Sequence, residues 1–168
     1  MFYDHELLDA LQSLGSVAWQ GLVYRHMFAN YPPHLENRRG ARWNPPDVPA
    51  IYTSLERQTV LAEAEHHIAS QPLLPRAART VYTMRASLSS VLDLRDPDIL
   101  ARVGLQLQSL ADTNWSRCQL VGGATEFLGH DGLLIPSARA QGTNLVIFAN
   151  RRDLAEALEI VNTESISK

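Results

Sequence analysis

Five polar side chains lie at positions where the surrounding sequence favours apolar residues. They are Arg25, Arg42, Tyr52, Glu63 and Ser137. An arginine guanidinium binds a multi-oxygen anion through paired, charge-assisted hydrogen bonds, and a fixed carboxylate stabilises positive charge that develops in a transition state. Taken singly, each residue also has an ordinary structural interpretation, as a surface arginine, a core aromatic, a solvated carboxylate or a turn serine.

Several common catalytic motifs are absent from the sequence. It has no glycine-rich dinucleotide fingerprint, no phosphate-binding loop with Gly-Lys-Ser/Thr, no Gly-x-Ser-x-Gly elbow and no His-Glu-x-x-His motif. His66 and His67 lie beside Glu63 and Glu65, but adjacent helical residues point about 100° apart and do not readily share one ion. We therefore predict no metal site, and the sequence disfavours a Rossmann dehydrogenase, a P-loop ATPase and an ordinary esterase.

The composition is typical of a chain that buries one core. Its 168 residues are 45% hydrophobic, and 15 Lys and Arg against 18 Asp and Glu leave a formal net charge of -3. This charge provides no large basic field for a nucleic-acid backbone, so a dedicated DNA- or RNA-binding module is disfavoured.

The single cysteine, Cys118, excludes an internal disulfide and is interpreted as a buried thiol. Residues 1–10 are too acidic for a secretory signal, and no apolar stretch approaches about 18 residues, so we expect a cytoplasmic protein without a membrane span.

The hydrophobic pattern predicts strands that alternate with helices, hence one α/β (α+β) domain over residues 1–168, with a mixed sheet and flanking helices. Helices are predicted at 5–13, from a Thr53–Glu56 capping box to about Ser70, and at 97–103, 116–128 and 153–161. Strands are predicted at 21–28, 51–53, 79–85, 91–94, 132–136 and 144–149, the last two covered on both faces. Residues 29–49 are expected to form a long ordered or functional loop, and Pro72 and Pro75 to prevent the second helix from continuing.

Five short segments, taken in order, form a pattern that is more specific than any single motif. They are Tyr24-Arg25; Arg39-Gly40-Ala41-Arg42-Trp43-Asn44-Pro45; Tyr52-Thr53-Ser54; Leu61-Ala62-Glu63; and Ile135-Pro136-Ser137-Ala138 with Asn144-Leu145 downstream. Together they resemble the RES-domain toxins, a family named for arginine, glutamate and serine. Glu63 follows Tyr52 by eleven residues, the spacing of that family, which favours Glu63 over Glu65 as the catalytic carboxylate.

The resemblance implies a fold similar to that of the ADP-ribosyltransferases and a function as a bacterial toxin. It implies cleavage of the nicotinamide–ribose bond of NAD, with NAD as substrate and no separate cofactor. It also implies a cognate antitoxin of the Xre, helix-turn-helix type, with DNA contacted only through that antitoxin and a homodimer within the complex.

The same resemblance assigns roles to individual residues. Arg25 or Arg42 would bind the pyrophosphate of NAD, and Glu63 would stabilise the positive charge that develops on the ribose. Tyr52 would stack on the nicotinamide, and Ser137 would bind a ribose hydroxyl or the carboxamide. Asn144 and Arg139 are expected to complete the pocket, and Trp43 to brace the loop.

Three functions stay open at this point. The leading one is an NAD-degrading toxin that transfers the ADP-ribosyl group to water or to inorganic phosphate. The second is a mono-ADP-ribosyltransferase that modifies a protein. The third is an inactive partner-binding module in which Arg25, Arg42 and Glu63 form a structural ion network. The sequence also leaves open whether Glu65, Arg139 or His67 contributes to the site.

Overall fold

The computed structural model describes residues 1–28, 31–71, 78–150 and 153–166, which form a mixed sheet with helices packed against it. The elements in chain order are α1 (His5–Ser13), β1 (Val17–Phe28), β2 (Ala50–Ser54), α2 (Arg57–Ala69), β3 (Arg79–Asp93), α3 (Pro97–Arg102), α4 (Ser116–Phe127), β4 (Gly132–Pro136), β5 (Thr143–Phe148), α5 (Leu154–Ala157) and β6 (Leu158–Ile166), with a 3₁₀ helix at Leu107–Ala111. The predicted mixed α/β class is confirmed. None of the helices in this part of the chain combines the length and the apolar character needed to cross a membrane.

The long strand β3 organises the sheet. The strand order is β1-β2-β5-β4-β3-β6, and β1 also pairs with β3, so the sheet closes on itself. β3 pairs antiparallel with β1 along its length and with β6 along its first part, and it pairs parallel with β4 at 91–93. β2, β5 and β4 are antiparallel neighbours, which places the end of β2 beside the start of β5.

Both faces of β4 and β5 are covered, as the continuous apolar runs in these strands predict. Along β5, Leu145 and Ile147 pack into one cluster inside the closed sheet, while Val146 and Phe148 pack into a second cluster on the opposite face. Helices α1, α3 and α4 cover the second cluster with side chains such as Leu11, Leu100 and Val121. Cys118 of α4 is a buried thiol, as expected.

One strand replaces the two predicted at 79–85 and 91–94. The intervening residues keep a period of two, since Ala86 and Leu88 are buried while Ser87 and Ser89 are exposed. They also stay paired with β1, where Trp19 lies opposite Leu88. Small polar residues on the solvent side therefore interrupt the apolar run without interrupting the strand.

The last predicted helix, at 153–161, is wrong beyond its first turn. Only Leu154–Ala157 is helical, and the chain continues as strand β6 along the edge of β3. Ile160, Val161 and Thr163 are β-branched and fit a strand, and the hydrogen bonds offered by β3 outweigh the weak helical pattern. The sequence pattern alone could not show that β3 offers an edge with which this segment pairs.

The start of α2 also differs from the predicted capping box. The residue that precedes the helix is Glu56, not Thr53. Thr53 belongs to β2, and its hydroxyl donates a hydrogen bond to the carbonyl oxygen of Leu145 on β5 at 2.8 Å. The helix itself ends at Ala69, close to the predicted Ser70. Pro72 and Pro75, which were expected to stop it, lie outside the described residues.

Two glycines in α4 allow the helix to contact the loop before β2. A Cβ atom at Gly122 would lie 1.7 Å from the carbonyl oxygen of Trp43, and one at Gly123 would lie 2.4 Å from the hydroxyl oxygen of Tyr3. Both glycines are buried. The predicted helix at 116–128 therefore forms despite these glycines, and its packing against the loop requires them.

We expect Gly122→Ala to lower the free energy of unfolding by about 1 to 3 kcal/mol, because the new methyl group must displace the Trp43 carbonyl. An alanine gains about 1 kcal/mol of helix propensity over glycine, so a purely local effect would have the opposite sign. Urea denaturation measures the change. Ser116→Ala, at an exposed position of the same helix, is the matched control and should leave stability nearly unchanged. Equal stability of the two variants would contradict the close contact.

Candidate active site

Glu63 lies in the middle of α2 and points toward the β4–β5 hairpin. Its Oε1 atom accepts hydrogen bonds from the Ser137 hydroxyl at 2.5 Å and from the Asn144 side-chain amide at 3.0 Å. Within the described residues, Oε2 accepts none. The carboxylate is therefore fixed through one oxygen and leaves the other available to a ligand.

Contacts between the start of α2 and the hairpin connection position this carboxylate. The Glu56 carboxylate accepts a hydrogen bond from the backbone N–H of Thr143 at 3.0 Å, and the N–H of Leu55 donates to the Thr143 carbonyl at 2.9 Å. Gly142 has a φ of 132°, and a Cβ atom there would lie 2.1 Å from the Thr59 hydroxyl oxygen. Only glycine fits this conformation and this approach.

The hydroxyl of Ser137 is fully used within the protein. It donates to Glu63 and accepts from the backbone N–H groups of Arg139 at 3.2 Å and Ala140 at 3.1 Å. One donor and two acceptor positions are all that a hydroxyl offers. Ser137 therefore positions Glu63 in this structure, and its predicted contact with a ribose or carboxamide stays a prediction.

Asn144 is oriented by a residue that the sequence analysis did not single out. The Ser54 hydroxyl donates to the Asn144 Oδ1 atom at 2.8 Å, which turns the amide nitrogen toward Glu63. Ser54 ends β2 directly opposite Asn144 at the start of β5. The triplet Tyr52-Thr53-Ser54 was the available signal for Ser54 in the sequence. Its contact with Asn144 could be recognised only from the pairing of β2 with β5.

Tyr52 braces the loop that carries Arg42. Its hydroxyl donates to the Asn44 side-chain oxygen and accepts from the backbone N–H of Trp43, both at 2.8 Å. Asn44 is completely buried and also donates to the Val48 carbonyl at 2.8 Å. Burial raises the pKa of Tyr52, so the phenol stays protonated and keeps its donor.

Arg42 is held by neutral groups. One of its guanidinium nitrogens donates to the Asp112 carbonyl at 2.9 Å, and the guanidinium lies over the Trp115 ring, 5.3 Å from its centroid. Burial lowers the pKa of Arg42, and the positive charge of Arg139 acts in the same direction. Since no carboxylate within the described ranges forms an ion pair with it, its charge is free for an anion.

Arg25 is not brought to the other candidate residues. Its guanidinium donates to the carbonyl oxygens of Pro33 and Leu35, the latter at 2.6 Å, and burial lowers its pKa to about 10. It does not line either cavity described below. A contact between Arg25 and a pyrophosphate stays a prediction. The ion network of the non-enzymatic interpretation is also not formed among these residues, because Arg25 and Arg42 bind carbonyls instead of Glu63.

Two adjoining cavities meet at Glu63. The larger, of about 350 Å³, has a mostly apolar wall formed by His26, Phe28, Thr53, Ser54, Val60 and Ala64. The smaller, of about 270 Å³, is lined by Ala41, Arg42, Trp43, Trp115, Pro136, Ala138 and Arg139. Four residues line both cavities, namely Tyr52, Glu63, His67 and Asn144. The site is therefore a two-part cleft with an apolar side, a cationic side and a carboxylate between them.

His26 lines the apolar cavity as a neutral side chain. Its Nε2 atom accepts a hydrogen bond from the Arg79 guanidinium at 3.0 Å, and burial together with the Arg79 charge lowers its pKa to about 4. Glu65 pairs with Arg79 at 2.6 Å on the exposed side of α2 and lines neither cavity. The geometry thus separates Glu63, which faces the cleft, from Glu65, which does not.

The chain is similar to proteins of a known family and to a solved structure. The model of the RES domain matches residues 20–167. The chain is 31% identical over 157 residues, 88% of its length, to the NAD(+) phosphorylase MbcT of Mycobacterium bovis and to that of Mycobacterium tuberculosis, and the match covers 84% of each relative. The crystal structure of the M. tuberculosis MbcT–MbcA toxin–antitoxin complex superimposes with a TM-score of 0.87 at 29% identity, covering 98% of this chain and 93% of that chain.

We expect Tyr52→Phe to lower the free energy of unfolding by about 1 to 3 kcal/mol, because it leaves the Trp43 N–H and the Asn44 oxygen without their partner. Tyr82→Phe is the matched control, since the Tyr82 hydroxyl has no hydrogen bond within the described part of the chain. Urea denaturation of both variants measures the difference. A loss of the same size in both would mean that the Tyr52 hydroxyl does not brace the loop.

Proposed function

The chain belongs to the RES domain family, and from that premise we propose that it is a toxin that cleaves the nicotinamide–ribose bond of NAD. The observation that carries this proposal is the Glu63 carboxylate, which has one oxygen fixed by Ser137 and Asn144 and lines both parts of the cleft. Breaking the bond develops positive charge on the ribose, and a carboxylate beside the anomeric carbon stabilises that charge. A fixed carboxylate does so without reorganising during the reaction.

The apolar cavity receives the nicotinamide in this proposal. Phe28 and Val60 supply apolar contacts for the ring, and the phenol ring of Tyr52 lies at the junction where the breaking bond would be. The nicotinamide leaves as a neutral, aromatic molecule, which an uncharged wall accommodates. The ribose then lies beside Glu63, which lines both cavities.

Arg42 binds the pyrophosphate of NAD in the cationic cavity. Its guanidinium has one hydrogen bond to a carbonyl and retains further N–H donors for phosphate oxygens. Arg25 supports this arrangement at a distance, because it fixes the carbonyls of Pro33 and Leu35 in the same loop that carries Arg42. Ser137 likewise contributes by fixing Glu63.

Inorganic phosphate is the acceptor that we propose for the ADP-ribosyl group. The mycobacterial relatives are named NAD(+) phosphorylases, and the chain shares 31% identity with them over 88% of its length. The smaller cavity, with its two arginines, suits an anionic acceptor. The products would be nicotinamide and ADP-ribose 1″-phosphate, and the reaction would take place in the cytoplasm, where its substrate occurs.

We expect the purified protein to release nicotinamide from NAD faster when phosphate is added, and Glu63→Gln to reduce that release by about a hundredfold or more. The amide can still accept the hydrogen bond from Ser137, so the fold should persist. Chromatography measures nicotinamide and the ADP-ribosyl products. Glu65→Gln is the matched control, because it changes the same charge on the same helix outside the cleft, and it should retain most of the activity.

Three outcomes would contradict the proposal in different ways. No nicotinamide release by the wild-type protein, with phosphate present, would exclude NAD cleavage. Release accompanied by transfer of label from NAD to a protein would identify a mono-ADP-ribosyltransferase instead. Equal activity of the Glu63→Gln and wild-type proteins would remove Glu63 from the mechanism.

We further propose that an antitoxin of the Xre type neutralises the protein. The similar M. tuberculosis structure is that of a toxin–antitoxin complex, and the cationic cavity offers a neutralising partner a clear target. A carboxylate or a carboxy terminus placed against Arg42 would occupy the position of the pyrophosphate. DNA would be contacted by the antitoxin, and a homodimer within the complex is part of the same proposal.

The antitoxin should compete directly with NAD. Co-expression with a cognate antitoxin should yield a stable complex that neither binds NAD nor releases nicotinamide. Calorimetric titration with NAD measures the binding. A complex that binds NAD with the affinity of the free toxin would exclude occlusion of the cleft. Arg39→Gln changes a charge in the loop that carries Arg42 but outside the cleft. It controls for general effects of charge on the binding of the antitoxin.

A further inference from the structure

The smaller cavity contains a second cation, Arg139, beside the Arg42 that the proposed function assigns to the pyrophosphate. Arg139 lines this cavity together with Arg42, and the two positive charges repel each other, which lowers the pKa of Arg42 in addition to the effect of burial. No side chain or carbonyl within the described ranges forms a hydrogen bond or an ion pair with the Arg139 guanidinium. Two guanidinium groups that line one cavity attract an anion, and the side-chain donors of Arg139 are not used within the described ranges.

The backbone of Arg139 is tied to the catalytic carboxylate. Its N–H donates to the Ser137 hydroxyl, which in turn donates to Glu63. Arg139 therefore lies one hydroxyl group away from the carboxylate that stabilises the ribose cation. The Arg139 side chain lines the same cavity as Glu63, so an anion held by its guanidinium would lie in the cavity that also contains this carboxylate.

The two cavities also suit an in-line displacement. In such a displacement the nicotinamide departs into the apolar cavity, and the group that replaces it approaches from the opposite face of the ribose, on the side of the cationic cavity. A water molecule needs no cation for this approach. A phosphate dianion does, because it must leave bulk water and enter a cavity that already contains the Glu63 carboxylate.

From this arrangement we propose that Arg139 binds the acceptor phosphate and thereby selects phosphorolysis over hydrolysis of NAD. The inference rests on the proposed function and assigns Arg42 to the pyrophosphate and Arg139 to the acceptor. One phosphate oxygen forms the bond to the anomeric carbon, the carbon–nitrogen bond breaks, and its electron pair leaves with the neutral nicotinamide. The Arg139 guanidinium binds the remaining phosphate oxygens and transfers no proton.

The test compares products and kinetic constants for wild-type protein and Arg139→Gln. We expect the KM for phosphate to rise about tenfold or more and the ratio of ADP-ribose 1″-phosphate to ADP-ribose to fall by a similar factor, because a charge-assisted, paired contact is lost. The KM for NAD should change by less than about threefold. Arg139→Lys keeps the charge but not the paired geometry and should give an intermediate product ratio.

Arg42→Gln and Arg39→Gln separate this role from its alternatives. Arg42→Gln should raise mainly the KM for NAD, and Arg39→Gln, outside the cleft, should not alter the product ratio. Equal rises of both KM values in Arg139→Gln would place Arg139 at the pyrophosphate and overturn the inference, as would an unchanged product ratio. If Arg139→Gln fails to fold, a wild-type product ratio in Arg139→Lys would overturn the assignment of a paired contact.

The same experiment distinguishes failure of the inference from failure of the proposed function. Wild-type protein that releases no nicotinamide would exclude NAD cleavage altogether. Wild-type protein that releases nicotinamide but forms only ADP-ribose at every phosphate concentration would exclude phosphate as acceptor, and this inference with it, while NAD cleavage stands. Phosphorolysis by the wild type with an unaltered ratio in Arg139→Gln would remove Arg139 alone.

Discussion

The site depends on the two hydrogen bonds that Glu63 Oε1 accepts from Ser137 and Asn144. They join helix α2, through the carboxylate itself, to the two sides of the connection between β4 and β5. A half-buried carboxylate is costly unless donors replace the water it loses. Because both donors bind the same oxygen, the other oxygen keeps a fixed direction, and the group is oriented before any ligand arrives. The contacts of Glu56 and Gly142 at the start of α2 serve this alignment.

The cations of the cleft follow a different rule. Arg42 is positioned by a carbonyl and an aromatic ring, and its loop is held by the Tyr52 hydroxyl and by the contact of Gly122 with Trp43. A carboxylate partner would hold an arginine equally well but would cancel its charge. Neutral partners fix the guanidinium while they leave its charge and several donors for an anion. The charges of Arg42 and Arg139 therefore repel each other in the free protein, and the binding of an anion would relieve this repulsion.

Local patterns in the sequence account for much of the fold and for part of the site. The apolar runs of β4 and β5 and the helix at α4 follow from periodicity and length. The choice of Glu63 over Glu65 rests on the resemblance to the RES-domain family, whose spacing Tyr52 and Glu63 share. What the sequence could not provide depends on pairing across the sheet. β6 exists because β3 offers an edge, Thr53 is part of β2 rather than a helix cap because β5 lies beside it, and Ser54 orients Asn144 only through the strand register. Arg25 illustrates the same limit, since its two carbonyl partners lie in the folded loop.

The electrostatic difference between the two cavities suits the charge changes of the proposed reaction. In NAD the nicotinamide ring is positively charged, and it becomes neutral as the bond to ribose breaks. A protonated His26 in the apolar cavity would repel the positively charged nicotinamide ring of bound NAD. It would promote departure of the nicotinamide only because it weakens the binding of NAD. Burial and Arg79 instead lower the pKa of His26 to about 4, so the imidazole is neutral near pH 7. The positive charge that moves from the nicotinamide to the ribose then meets a carboxylate at Glu63. The anion that quenches this charge approaches from the arginine side, so each charge in the cleft lies where the reaction uses it.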